Sequence, residues 1–289
     1  MLPALVIACV ASAGAACSPN TTAPASSAAP ASSATAAATP TPDVSNPVGL
    51  IAIGHSGLTG EGAAGQSAYE NSWATGTSPE VNSVYLRLTV ERPETEGMVA
   101  NEAVGGAPAA ALSGQAAAAL EAVPVPALAI IQTIDSDIRC DGTDPDNVAM
   151  VGQSIADALD VITTASPNTR ILVVGQLGRP SPAFIEELVA HDPAVKEALS
   201  GTGMCDFYDP DGRLVEANFE TLTGIIEAYE AEQARVCEAV PQCSTDGGVR
   251  AAYVDEIGNF APDWNHLNLR GQAAAAELIW PVVVEILGL

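Results

Sequence analysis

Short, uninterrupted apolar runs alternate with longer stretches of helical periodicity from about residue 47 to the end of this chain, and that alternation leaves few architectures open. The runs fall at 48–54, 98–101, 127–134, 170–176 and 250–255. Most are continuous and rich in Val, Ile and Leu, the pattern of strands covered on both faces. Between them lie candidate helices near 79–91, 108–122, 146–166, 182–200, 214–240 and 268–287. In 146–166, Val148, Val151, Ile155, Leu159 and Ile162 recur every three or four residues and form one apolar stripe. Asp144-Pro145 ahead of it supplies cap and first-turn signals. Strand and helix in alternation predict a three-layer α/β/α sandwich around a mainly parallel sheet of about five strands. No second domain and no internal repeat is evident. In such sheets a ligand crevice lies beyond the carboxyl ends of the strands, so polar residues just after each run are the ones to inspect.

The residues before 47 read differently. Residues 1–17 are uncharged and mostly apolar, with the length of a secretory signal core rather than of a membrane span. They end in Gly14-Ala15-Ala16-Cys17, which resembles a bacterial lipobox with glycine where leucine is usual; lipidation at Cys17 is the expectation. Residues 18–46 are almost wholly Ser, Thr, Ala and Pro and have nothing to bury, so a disordered tether or tail is expected. The remaining 47–289 form the folded domain. Export, to the cell surface or medium and with a possible lipid tether, also fits four further cysteines: Cys140, Cys205, Cys237 and Cys243. Sequence allows three pairings; a local Cys237–Cys243 loop with Cys140–Cys205 is the expected one. No metal-binding spacing of Cys or His is present, so no metal is expected. A formal charge of −25, with Lys196 the only lysine, would repel nucleic acid and anionic lipid head groups.

The chain has three histidines, which shortens the search for a catalytic base. Ser56 follows directly on the first apolar run, in Gly54-His55-Ser56-Gly57. Near the far end, Pro262-Asp263-Trp264-Asn265-His266 places a carboxylate and an imidazole three residues apart. A serine becomes a nucleophile only with a base beside it, and that base needs a group to orient it. Taken singly, each of these residues is compatible with an ordinary turn or surface position. His191, beside Asp192-Pro193, reads as a helix end. Trp73 and Trp264 read as packing residues, and Arg139 and Arg179 as solvated ion-pair partners.

In order along the chain, four blocks resemble those of SGNH hydrolases, also called GDSL-type esterases and lipases. Ile51-Ala52-Ile53-Gly54-His55-Ser56-Gly57 is similar to that family's Gly-Asp-Ser block, with His55 in place of aspartate. Asn101-Glu102-Ala103-Val104-Gly105-Gly106 resembles its Asn-x-x-x-x-Gly turn. Ile131 to Asp137 stands where Gly-x-Asn-Asp is usual, and Asp263-Trp264-Asn265-His266 resembles Asp-x-x-His. The resemblance implies an SGNH/flavodoxin-like sheet and an ester hydrolase without cofactor. Ser56 would be the nucleophile, His266 the base and Asp263 its partner. Backbone amides of Ser56 and Gly106 would bind the oxyanion, with Ser136 in place of the usual asparagine donor. Asp135 and Asp137 would oppose a developing negative charge unless hydrogen bonds tie them elsewhere. An ordinary α/β-hydrolase fits less well, because its elbow reads Gly-x-Ser-x-Gly and here Gly57 follows Ser56 directly. The implied substrate is a small-molecule, glycan or lipid ester, and the chain is expected to act as a monomer. The alternative is a non-catalytic surface-binding lipoprotein on a degenerate version of the same fold.

Overall fold

The computed structural model describes residues 44–64, 68–176, 179–253 and 256–289. The leader, Cys17 and nearly all of the 18–46 segment lie outside the described residues. A five-stranded sheet is built from β1 (Leu50–Gly54), β2 (Val99–Asn101), β3 (Leu128–Gln132), β4 (Arg170–Val174) and β5 (Cys243–Thr245). Its order is β2-β1-β3-β4-β5 and every pairing is parallel. The helices are α1 (Val84–Glu91), α2 (Leu112–Ala122), α3 (Asp144–Ala165), α4 (Pro182–His191), α5 (Val195–Ala198), α6 (Glu216–Glu238) and α7 (Leu269–Leu287).

Alternation along the strands decides the layers. Ile51, Ile53, Ala129, Ile131, Ile171 and Val173 pack with α2, α3 and α6 through Leu112, Ala116, Ile155, Leu159, Leu222 and Ile226. Their neighbours Leu50, Ala52, Leu128, Ile130, Leu172 and Val174 point the other way, toward α1 and α7 through Val84, Leu88, Ala276, Ile279 and Val283. Because successive side chains leave a strand on opposite faces, an apolar run with no polar break can only be covered on both. The predicted three-layer α/β/α sandwich is therefore the observed one.

Two elements depart furthest from expectation. The fifth strand is Cys243–Thr245, not 250–255; residues 250–252 form a turn, and Val254 and Asp255 lie outside the described residues. The true strand is short, polar and at the sheet edge, so it carries no apolar signal. The 246–250 turn that ends it is organised by Asp246, whose carboxylate accepts from the amides of Gly248 (3.0 Å) and Arg250 (3.1 Å). The helix expected over 182–200 divides into α4 and α5, as Pro193 interrupts the backbone hydrogen-bond ladder. Both expected disulfides are present: Cys140–Cys205 spans 65 residues and Cys237–Cys243 closes a loop beside β5.

Candidate active site

Gly54, at the carboxyl end of β1, turns the chain into the site. Its φ is +141°, and a Cβ there would sit 1.8 Å from the carbonyl oxygen of Gln132 on β3. Only glycine allows this approach. The Gln115 side chain on α2 clamps the same residue, its Oε1 accepting from Gly54 N (2.7 Å) and its Nε2 donating to Gly54 O (3.0 Å). Ser56 then opens a single 3₁₀ turn, Ser56–Leu58, and is buried. His55 caps that turn: its Nδ1 accepts from Gly57 N at 3.0 Å. The indole of the fully buried Trp73 donates to Gly57 O (2.8 Å), holding the turn from below.

The base arrives on the loop before α7. Asp263 Oδ1 accepts from the backbone amides of Asn265 and His266, both at 3.0 Å, which leaves Oδ2 2.8 Å from His266 Nδ1. This orients the imidazole with its proton on Nδ1 and Nε2 open as an acceptor. Burial pushes the Asp263 carboxyl up, but the amide and ring hydrogen bonds of His266, with that of Asn265, outweigh it and hold the group below its ordinary value of 3.8. Trp264, at φ +56°, pins the loop by donating from its indole to Asp192 Oδ2 (3.0 Å) and meeting the His191 ring edge-on at 5.2 Å. The close approach of the two segments is set by Gly62, where a Cβ would lie 2.6 Å from that of His266.

Ser56 and His266 line one cleft, together with His55, Gly57, Glu61, Gln132, Asp135 and Arg250. His266 Nε2 has Asn265 Nδ2 at 3.4 Å and Glu61 Oε2 at 3.9 Å. The structure thus brings together Ser56, His266 and Asp263 from opposite ends of the chain. Gly106, at φ +73°, is exposed and a Cβ on it would meet nothing within 4 Å, whereas a Cβ on Gly105 would lie 4.0 Å from that of Ser56. Asn101 anchors this turn, donating to Leu58 O (2.8 Å) and Thr75 Oγ1 (2.6 Å).

From the third block, Gln132 and Asp135 line the cleft; Ser136 is not among its lining residues. Ile134 occupies the position where the resembling pattern has glycine, and it keeps a glycine-like φ of +87° while fully buried. The two neighbouring carboxylates are tied down. Asp135 Oδ1 accepts from Gln176 Nε2 at 2.7 Å, and both oxygens of Asp137 accept from Ala109 N at 3.2 and 2.9 Å. Burial nonetheless pushes the Asp137 carboxyl above its ordinary value. Sequence reading passed over Gln132, Glu61 and Arg250. Gln132 had a signal, as the one polar residue ending an otherwise apolar strand; Glu61 and Arg250 had none. Arg139 and Arg179 pair within the surface: Arg139 donates to Asn147 Oδ1 (2.7 Å) and Arg179 pairs with Glu230.

Comparison with known proteins places the fold. No protein-family model and no curated protein matches the sequence. Among solved structures, an extracellular lipase from Streptomyces rimosus superposes with a TM-score of 0.50 at 15% identity, covering 83% of this chain and 99% of that one. A phospholipase A1 from Streptomyces albidoflavus (TM-score 0.47, 11% identity, 83% and 99% covered) and a family 3 carbohydrate esterase from Clostridium thermocellum (0.45, 14%, 83% and 96%) also superpose. The chain shares its parallel α/β/α fold with that extracellular lipase.

Proposed function

We propose that this protein is a serine hydrolase that cleaves a carboxylic ester through Ser56, His266 and Asp263. The observation that carries the reading is the shared cleft of Ser56 and His266, with the far nitrogen of that imidazole on Asp263 at 2.8 Å. Ser56 Oγ attacks the acyl carbon while His266 Nε2 takes its proton; the carbonyl electron pair moves onto oxygen. Collapse of this intermediate expels the alcohol, which receives the proton from His266, and leaves an acyl group on Ser56. Water, deprotonated by the same nitrogen, then releases the acid. Backbone amides of Ser56 and the Gly105–Gly106 turn are the candidate donors to the oxyanion, Gly106 being the one the sequence resemblance implies.

Ser56→Ala tests this reading. Loss of turnover of 4-nitrophenyl acetate with an unchanged melting curve supports it, as does fluorophosphonate labelling at Ser56 in the parent protein. Full activity in the variant overturns it, and absence of labelling favours a non-catalytic binding protein on the same scaffold. We further propose that the domain is exported and tethered through Cys17 to the outer face of the membrane, acting as a monomer on a small-molecule, glycan or lipid ester. The two disulfides fit an oxidising compartment. Among the described residues no helix is long and apolar enough to cross a membrane. Mass spectrometry of the mature N-terminus checks the tether.

A further inference from the structure

Glu61 brings into the cleft a carboxylate that the proposed chemistry does not use. Its side chain is 19% exposed, and its Oε2 lies 3.9 Å from His266 Nε2, too far for a hydrogen bond. Among the described residues that carboxylate accepts no hydrogen bond; only the Glu61 backbone is tied, its amide donating to Thr59 Oγ1 at 3.2 Å. A mostly buried carboxylate is ordinarily met by donors or by a cation, so an unmet one in a cleft asks for a ligand that brings them.

Gly105 leaves the room for it: a Cβ there would lie 2.7 Å from Glu61 Oε2. The carboxylate therefore stands next to both the base and the Gly105 turn. Two further acceptors of the cleft are unmet, because Gln132 Oε1 and Asn265 Oδ1 are buried atoms with no hydrogen-bond partner among the described residues. Of the charged side chains that line the cleft, Glu61 and Asp135 are acidic and Arg250 is basic. Arg250 is only 2% exposed, with its guanidinium 5.9 Å from the centre of the Trp73 ring. The His55 ring adds no positive charge, because burial pushes its pKa down. An acceptor-rich wall that carries a bare carboxylate attracts a cation. The formal charge of −25 draws cations to the molecule as a whole.

His266 Nε2 hands its proton to the departing alcohol, so the bridging oxygen of the ester comes within about 3 Å of that nitrogen. Glu61 Oε2 is 3.9 Å from the same nitrogen. A charge carried roughly two or three bonds beyond the bridging oxygen can therefore reach ion-pair distance of the carboxylate. We propose that Glu61 is the specificity-determining residue of the cleft and selects esters whose alcohol portion carries a positive charge, of the choline type. The inference rests on the hydrolase reading above and deepens it. The carboxylate also bears on the chemical step. With a neutral ester it opposes, from beside the Gly105 turn, the negative charge that forms on the acyl oxygen; a cationic alcohol portion cancels that opposition as it binds. Glu61 transfers no proton, and Ser56 and His266 act as before.

The test compares kcat and kcat/KM for acetylcholine and for its neutral isostere 3,3-dimethylbutyl acetate in the parent protein, the isosteric Glu61→Gln and Ser56→Ala, with melting curves for each. A contact to a charged group typically contributes ~10–100-fold in affinity. The proposal expects the parent to prefer acetylcholine by about that factor in kcat/KM. Glu61→Gln should reduce the preference at least about tenfold, through a lower kcat/KM for acetylcholine and a higher kcat for the neutral ester. A smaller change of preference in folded Glu61→Gln overturns the inference. So does a parallel fall on both esters, which is what a residue that only orients His266 or supports the fold would give. Should Glu61→Gln not fold, inhibition of 4-nitrophenyl acetate hydrolysis by the parent decides. Choline competing at least about tenfold more tightly than 3,3-dimethylbutanol supports the inference, and a smaller difference overturns it. An inactive parent protein whose behaviour Ser56→Ala does not alter overturns the hydrolase reading and this one with it. An active parent, silenced by Ser56→Ala but indifferent to the charge of the ester, overturns this one alone.

Discussion

The wall that carries Ser56 and the loop that carries His266 are built in different ways. The first is an extension of the sheet core: Gly54 is clamped by Gln115 and pressed against the β3 backbone, and Trp73, completely buried, holds Gly57 O. The second is a surface loop held by a few side-chain contacts, with the Asp263 side chain about half exposed at 49%. Changes in the wall should therefore be felt by the whole fold, whereas changes in the loop should be felt by chemistry alone. That division suits the proposed mechanism. A nucleophile gains from a fixed position, while the imidazole has to face both Ser56 and the departing alcohol within one turnover.

The largest expected effect belongs to the wall. Gly54→Ala would drive a methyl group into the Gln132 carbonyl at 1.8 Å, which is backbone and cannot move aside without breaking the β1–β3 pairing. The expected outcome is loss of soluble folded protein, measured by expression and circular dichroism; a folded, cooperative melt in this variant would dissolve the contrast. Next comes the loop. Asp263→Asn should keep the melting temperature within about 2 °C, as expected of an exposed substitution. It should lower kcat by ~10³–10⁴, because the amide would favour the wrong imidazole tautomer.

The smallest expected effect is a pH signature in the wall. The His55 pKa is pushed below its ordinary value of 6.5, chiefly by burial. Below pH 6.5 the unfolded chain therefore binds a proton that the folded chain does not. Stability falls as pH drops through that range and becomes independent of His55 above it. His55→Asn should keep a cap acceptor for Gly57 N and show a smaller drop in melting temperature between pH 7.5 and 5.0 than the parent protein. Asp263 contributes nothing in that interval: its carboxyl is held below 3.8, so the stability it adds is lost only under more acid conditions. An equal pH slope in parent and variant would show that His55 is not the group responsible.

Much of this fold was legible before any coordinates. The three five-residue strands β1, β3 and β4 and the six helical segments follow from uninterrupted apolar runs and from apolar stripes such as Val148 to Ile162. β5 was not legible, because Cys243-Ser244-Thr245 is polar and is placed by pairing with β4 and by the Cys237–Cys243 bridge. The Asp263–His266 contact was legible because both groups lie on one tight turn. Glu61 and Arg250 were invisible, since nothing local marks a charged side chain that a distant segment will cover. Gln132 gave only a faint sign of itself.

By itself, then, the sequence determined the layers, and it singled out as candidates a hydroxyl after β1 and an acid and a base before α7. Local periodicity and turn chemistry carry that information, because they act over a few residues. The tertiary structure alone decided that Gln132 and Asp135, rather than Ser136, line the cleft, and that a Cβ on Gly105, unlike one on Gly106, would come within 4.0 Å of that of Ser56. Those outcomes depend on separations of a few ångströms between segments remote in the chain. Only the packing of β1, β3 and the loop before α7 against one another sets such distances.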